Sequence, residues 1–167
     1  MSFDGGILVG NANIELKPMT RELCHALFRE WENDPDIYSD MSLFKPFIYT
    51  KEYADKYFDS KQKPDRKMLA IMLEDKPIGE IQLKQIDFDK KECTLSIHMQ
   101  NDSYKGKGYG TTAEKLAIEY AFSILGMNAV NADTIIENKR SQHILEKLGF
   151  KFLKEEDGFI FYRIQRS

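Results

Sequence analysis

Lys105-Gly106-Lys107-Gly108-Tyr109-Gly110-Thr111-Thr112 lies between two segments of different periodicity. Before it, Cys93, Leu95, Ile97 and Met99 recur at every second residue, while Thr94, Ser96, His98 and Gln100 take the other parity. That is the period of a half-buried strand. After it, Ala113, Leu116, Ala117, Tyr120, Ala121 and Ile124 fall on one face of a helix. The order is strand, glycine turn, helix. Gly106, Gly108 and Gly110 leave no side chains between a ligand and the backbone N–H groups. The first helical turn adds unpaired N–H groups and a partial positive charge. With Lys105 and Lys107 beside it, the turn is expected to hold a phosphate or pyrophosphate; the alternative is a plain corner flanked by solvated lysines. Two nucleotide motifs are excluded. The P-loop spacing is absent, and G-x-G-x-x-G fails because Thr111 stands where its third glycine belongs.

A second signal lies downstream. Asn138-Lys139-Arg140-Ser141 opens another helix, whose apolar positions Ile144, Leu145 and Leu148 run into the helix stop Gly149. The segment K-G-K-G-Y-G-T resembles the pyrophosphate-binding signature Q/R-x-x-G-x-G/A of the GNAT superfamily of N-acetyltransferases, and N-K-R-S-Q-H-I-L-E-K-L-G-F resembles its next motif. Order and spacing of the two motifs fit the superfamily, and the resemblance covers about residues 12 to 165. In pattern it is nearest the branch of ribosomal-protein, N-terminal alanine and spermidine N-acetyltransferases.

Composition bounds the function classes. With 42% hydrophobic and 31% charged residues in 167, the chain has the makings of one soluble globular domain over 1–167, within which residues 1–11, rich in glycine and small side chains, form a loose N-terminal arm. A formal charge of −3 argues against a general nucleic-acid binder, which needs a basic face. No apolar run approaches membrane-spanning length. Cys24 and Cys93, with no metal-spaced Cys/His cluster and no leader pattern, read as reduced thiols of a cytoplasmic protein.

In chain order, Ile14, Leu16 and Met19 mark a first strand, and Thr20 is the expected N-cap of a helix from Arg21 to Glu32. Asn33 to Tyr49 is a long loop with Pro35, Pro46 and the carboxylates Asp34, Asp36 and Asp40, followed by a helix from Thr50 to Ser60. Arg66–Leu73, Ile78–Phe88 and Glu92–Gln100 form an antiparallel meander. The crossover through the glycine-turn helix makes Ala129–Ile135 parallel to the strand before it. A hairpin of Phe150–Lys154 and Phe159–Ile164 ends the chain. The fold class is α+β. The resemblance implies a largely antiparallel central sheet with one splayed parallel pair, the acyl-CoA arm lying in the gap and residues 33–60 on the acceptor side.

The resemblance also assigns roles. The backbone at His98, Met99 and Gln100 would hold pantetheine; Lys105, Gly106, Lys107, Gly108, Tyr109, Gly110 and Thr111 would hold the pyrophosphate; Asn138 would lie near the thioester. Many relatives carry a tyrosine seven residues after this asparagine as the acid for the leaving thiolate, and here that position is Leu145. Ser141, three residues after Asn138, is then a candidate acid or simply a first-turn hydroxyl, and Tyr162 on the last strand is another candidate. An amine of pKa near ~10.4 needs roughly 4–5 kcal/mol to lose its proton at neutral pH, so a base is also required. Glu92, Glu80 and His98 are the candidates, with a water chain as the alternative to all three.

The expected activity is transfer of an acetyl group from acetyl-CoA to a primary amine, on a peptide N-terminus, a polyamine or another small molecule, by direct transfer in a ternary complex. No metal is called for, and the expected assembly is a monomer or homodimer. A non-catalytic acyl-CoA sensor is the competing class, because Leu145 cannot donate a proton.

Overall fold

The computed structural model describes residues 2–4, 7–9 and 13–167. Nine strands form one sheet in the order β1-β2-β3-β4-β5-β6-β7-β9-β8. They are β1 (Ser2–Asp4), β2 (Ile7–Val9), β3 (Ile14–Pro18), β4 (Lys67–Leu73), β5 (Lys76–Asp87), β6 (Glu92–Met99), β7 (Ala129–Ile135), β8 (Lys151–Glu156) and β9 (Phe159–Gln165). Every neighbouring pair is antiparallel except β6 and β7. The helices are α1 (Arg21–Arg29), α2 (Lys51–Ser60), α3 (Tyr109–Ser123) and α4 (Lys139–Lys147). This is the mixed α+β order expected from the sequence, with the parallel pair at the glycine turn.

β4 shows why the sheet lies between two layers. Its Leu69 and Ile71 join the core under α3, while Met68, Ala70 and Met72 join the core under α1 and α2. Successive side chains of a strand point to opposite faces, so a strand covered on both faces loses its apolar–polar alternation. On the α3 side Ile81, Leu83, Leu95, Ala113, Leu116 and Ala117 close the core. On the other side Leu27 and Phe28 of α1 meet Ala54 of α2.

Three differences from the sequence reading have physical causes. The expected loose arm includes β1 and β2, which extend the sheet edge beyond β3 because an unpaired edge offers free N–H and C=O groups to the next segment; the rest of that arm lies outside the described residues. Helix α1 stops at Arg29 rather than Glu32, since the Glu32 N–H donates to the Gln100 carbonyl at 2.8 Å and the chain is drawn to the sheet. The 33–49 loop contains two short 3₁₀ turns, Pro35–Ile37 and Met41–Leu43, capped by the carboxylates of Asp34 and Asp40. His25 then ties the end of this loop to α2, lying 2.7 Å from the Tyr49 hydroxyl and 2.8 Å from Asp55.

Gly79 fixes the spacing of the sheet beside the site. It pairs with Met99, and a Cβ there would lie 2.8 Å from the His98 carbonyl oxygen. That neighbour is backbone, so it cannot swing away. Gly79→Val is expected to cost about 1–3 kcal/mol through overpacking. Thermal denaturation should record it as a Tm several degrees lower; a Tm equal to the parent's would mean β5 and β6 can part without cost.

Candidate functional site

Strands β6 and β7 pair only at Glu92–Ala129, Cys93–Val130 and Thr94–Asn131. Beyond Thr94 the two strands run on without pairing, β6 to Met99 and β7 to Ile135. Two cavities meet at this opening. The larger, about 330 Å³, runs from the glycine loop to the first turn of α4. The smaller, about 240 Å³, lies in the gap between Leu95–His98 and Ala132–Ile135. Ile97, His98, Glu114, Asn138 and Ser141 line both.

The glycine loop is built for close approach of an anion. Gly106 and Gly108 have φ of 75° and 80°, a conformation side chains rarely adopt. Gly108 is the N-cap of α3, and no side chain caps that helix. By contrast, Thr20, Thr50 and Asn138 cap α1, α2 and α4 through their side-chain oxygens. The first-turn N–H groups of α3 therefore remain available at the cleft. Gly110 and Thr111 also line it, and a Cβ on Gly110 would meet only Ile97, at 3.6 Å.

The cations differ from the sequence expectation. Lys105 is not a free charge: its Nζ lies 2.6 Å from Asp34, 3.0 Å from Asp36 and 3.0 Å from Asp102. Burial alone would lower its pKa, but the three carboxylates outweigh that and hold the ammonium above its ordinary value. Lys105 thus fastens the acidic loop to the glycine loop. Lys107 is exposed and does not line the cleft, and Tyr109 packs partly against the core. Arg140 and Lys147 of α4, which the sequence reading left out, line the larger cavity and have no ion-pair partner among the described residues.

Of the three residues expected at the pantetheine, His98 and Met99 line the cleft and Gln100 does not. The Gln100 N–H donates to Ile78 O at 2.7 Å, its carbonyl accepts from Glu32, and its side chain donates to Leu27 O at 2.7 Å. It latches α1 to the end of β6. Asn138 and Ser141 are brought together at the cleft, the Ser141 N–H donating to Asn138 Oδ1 at 3.0 Å.

The base candidates separate clearly. Glu92 lies at the closed end of the parallel pair, opposite Ala129, and accepts from Arg163 Nη2 at 3.1 Å. Seven residues of strand, roughly 23 Å at ~3.3 Å each, separate it from Met99. Glu80 is buried, its Oε1 accepting from Tyr57 at 2.5 Å and from Gln82 at 3.2 Å, and its Oε2 has no partner. It lines neither cavity but stands 3.7 Å behind His98 Nδ1. Burial, then the Glu80 charge, push the Tyr57 phenol far up. Tyr162 is buried, and its hydroxyl donates to Glu146 at 3.2 Å, so it does not reach the cleft. Glu92→Gln and Tyr162→Phe should therefore keep turnover within about twofold of the parent; a tenfold loss in either would return that residue to the site.

Glu114 is the residue the sequence reading missed. It lines both cavities at 5% exposure and makes no hydrogen bond or ion pair with another described residue. Desolvation pushes its carboxyl up to about 8. The available signal was its position on α3, four residues after Gly110 and three and four before the buried Ala117 and Ile118.

Among the described residues no helix is long and apolar enough to cross a membrane, and no cluster of three or more His, Cys, Asp or Glu is placed to hold a metal ion.

Comparison with known proteins gives the family. The profile described as "Acetyltransferase (GNAT) domain" matches residues 13–151. Spermidine N(1)-acetyltransferase of Escherichia coli (strain K12) is 24% identical over 147 residues, covering 83% of this chain and 73% of that protein. The solved spermidine N-acetyltransferase from Vibrio cholerae in complex with CoA and spermine superposes with a TM-score of 0.73 at 20% identity, covering 93% of this chain and 96% of that one. A dodecameric structure of the Vibrio cholerae enzyme gives 0.70 at 18% identity, covering 93% and 95%.

Proposed function

The chain belongs to the GNAT family of acetyltransferases and is an N-acetyltransferase, and from that premise we propose that it transfers the acetyl group of acetyl-CoA to a primary amine of the polyamine class, by direct attack in a ternary complex. The observation that carries the reading is the parting of β6 from β7 after Thr94, at a cleft that ends on an uncapped helix N-terminus.

The residues present fit acetyl-CoA. The α3 N–H groups, Arg140 and Lys147 supply donors and charge for a pyrophosphate. The unpaired edge of β6 from Leu95 to Met99 supplies backbone groups for the pantetheine amides and a donor for the oxyanion. His98 faces the gap, with Glu80 behind its Nδ1, and takes the proton released by the attacking amine. Glu80 acts as a positioning residue. The acceptor enters from the α1–α2 side, where Asp40 and the rings of Phe47 and Tyr53 suit a polycation, Asp34 and Asp36 being engaged by Lys105. Two buried free cysteines agree with a cytoplasmic setting.

The test is thiol release from acetyl-CoA with spermidine, spermine, a peptide N-terminus and an aminoglycoside as competing acceptors. Turnover led by the polyamines is the expected result. Preference for the peptide would move the acceptor class, and no turnover with any amine would overturn the reading.

A further inference from the structure

We propose that Glu114 is the proton donor to the departing thiolate of CoA. The inference rests on the acetyl-transfer reading above and completes it, since Leu145 provides no proton at the position where many relatives carry a tyrosine.

The geometry divides the site between two faces of the sheet. Glu80 and His98 are cross-strand partners on one face, where Tyr57 of α2 donates to Glu80. Leu95 and Ile97 have the opposite parity and pack with α3 and Leu145 in the other core. Glu114 projects from α3 into the opening from that second side and shares the smaller cavity with Leu145. A thioester lying between the strands would thus meet the base on one face and this carboxyl on the other. Base and acid serve different atoms of the tetrahedral intermediate, nitrogen and sulfur, so two separate groups can act on it, and among the carboxylates of α3 only Glu114 lines these cavities.

A buried carboxyl with no partner is costly unless it stays neutral. The other titratable groups lining the two cavities are His98 on β6, Asp133 on β7, Lys84 on β5, Tyr104, and Lys105, Arg140 and Lys147, with Asp34 and Asp36 bound to Lys105. Among the described residues none is within ion-pair distance of Glu114, and desolvation pushes its carboxyl up to about 8, on the protonated side of neutral. The ammonium first loses one proton to solvent; the neutral nitrogen then bonds to the carbonyl carbon and gives a second proton to His98. The C–S bond breaks with its electron pair on sulfur, and the thiolate takes the Glu114 proton. Solvent then removes one proton from His98 and restores one to Glu114. The products are an amide and the free thiol.

The experiment compares the parent enzyme with Glu114→Gln, Glu114→Asp and Ser141→Ala, using saturating acetyl-CoA and the best amine found. In the parent, kcat should fall as pH rises through the titration of Glu114 in the bound complex. Glu114→Gln, of the same size but without an acidic proton, should lose about 10- to 100-fold in kcat and lose that alkaline limb, with KM for acetyl-CoA little changed. Glu114→Asp should recover part of the rate, and Ser141→Ala should keep the limb. Infrared difference spectra of the parent between pH 7 and pH 9 should show one protonated-carboxyl band disappear, a band missing from Glu114→Gln. An unchanged kcat profile in Glu114→Gln, loss of the limb in Ser141→Ala instead, or no such band in the parent would each overturn the assignment. In those cases the parent still turns over and acetyl transfer stands. A parent that releases no thiol with any amine overturns acetyl transfer itself, and the donor role with it.

Discussion

Gly108→Trp is expected to abolish the stabilisation that acetyl-CoA confers on this protein. A ligand at a hundred times its Kd adds about 2.7 kcal/mol to a protein that binds it only when folded. For a chain of this size that is a rise in Tm of several degrees. Gly108 begins α3 with φ at 80°, and a Cβ there would meet nothing within 4 Å, so an indole would occupy the space in front of the first-turn N–H groups. The substitution also carries a backbone cost of about 1–2 kcal/mol, because a left-handed conformation crowds an L side chain. The readout must therefore be the ligand-induced change, not the starting Tm. A variant that melts earlier but still gains the full increment would show that the phosphates bind away from this helix end.

The second large effect is on stability, and it depends on pH. The Glu114 carboxyl is raised from 4.5 to about 8 in the folded protein. Between these values the unfolded chain has released a proton that the folded chain retains, so stability falls as pH rises through this window. Below about 4.5 there is no penalty, and above about 8 it is complete. At roughly 1.4 kcal/mol per pH unit the full difference is on the order of 5 kcal/mol, an upper bound for a side chain whose surroundings can relax. Glu114→Gln has no such titration. Its Tm should exceed the parent's by an amount that widens from pH 5 to pH 8, to roughly 10 °C, and then holds steady. A gap that does not change with pH would mean the carboxyl is already ionised in its cavity.

The two predictions draw on different kinds of information. Gly108 was legible because a glycine-rich turn between a period-2 run and a period-3.6 run is a local pattern, and backbone N–H groups need no distant partner to be exposed. Lys105 shows where local reading ends. Its charge looked free in sequence, yet Asp34 and Asp36, about seventy positions earlier, fold back onto it. Gln100 continues the strand pattern correctly but is claimed by Ile78, Glu32 and Leu27, which no spacing within β6 announces. Glu92 and Tyr162 have suitable chemistry and lie on the right strands, but register puts one at the closed end of the gap and turns the other toward Glu146.

The order of strands and helices, the parallel crossover, the glycine loop and the family are legible along the chain, because each follows from periodicity or a contiguous motif. Folding settles which charges remain free, which of three base candidates faces the gap, and that a helix glutamate is buried there without a partner among the described residues. Those properties depend on desolvation and on contacts between residues far apart in the chain, and burial of a single carboxyl leaves no mark in the spacing of its neighbours.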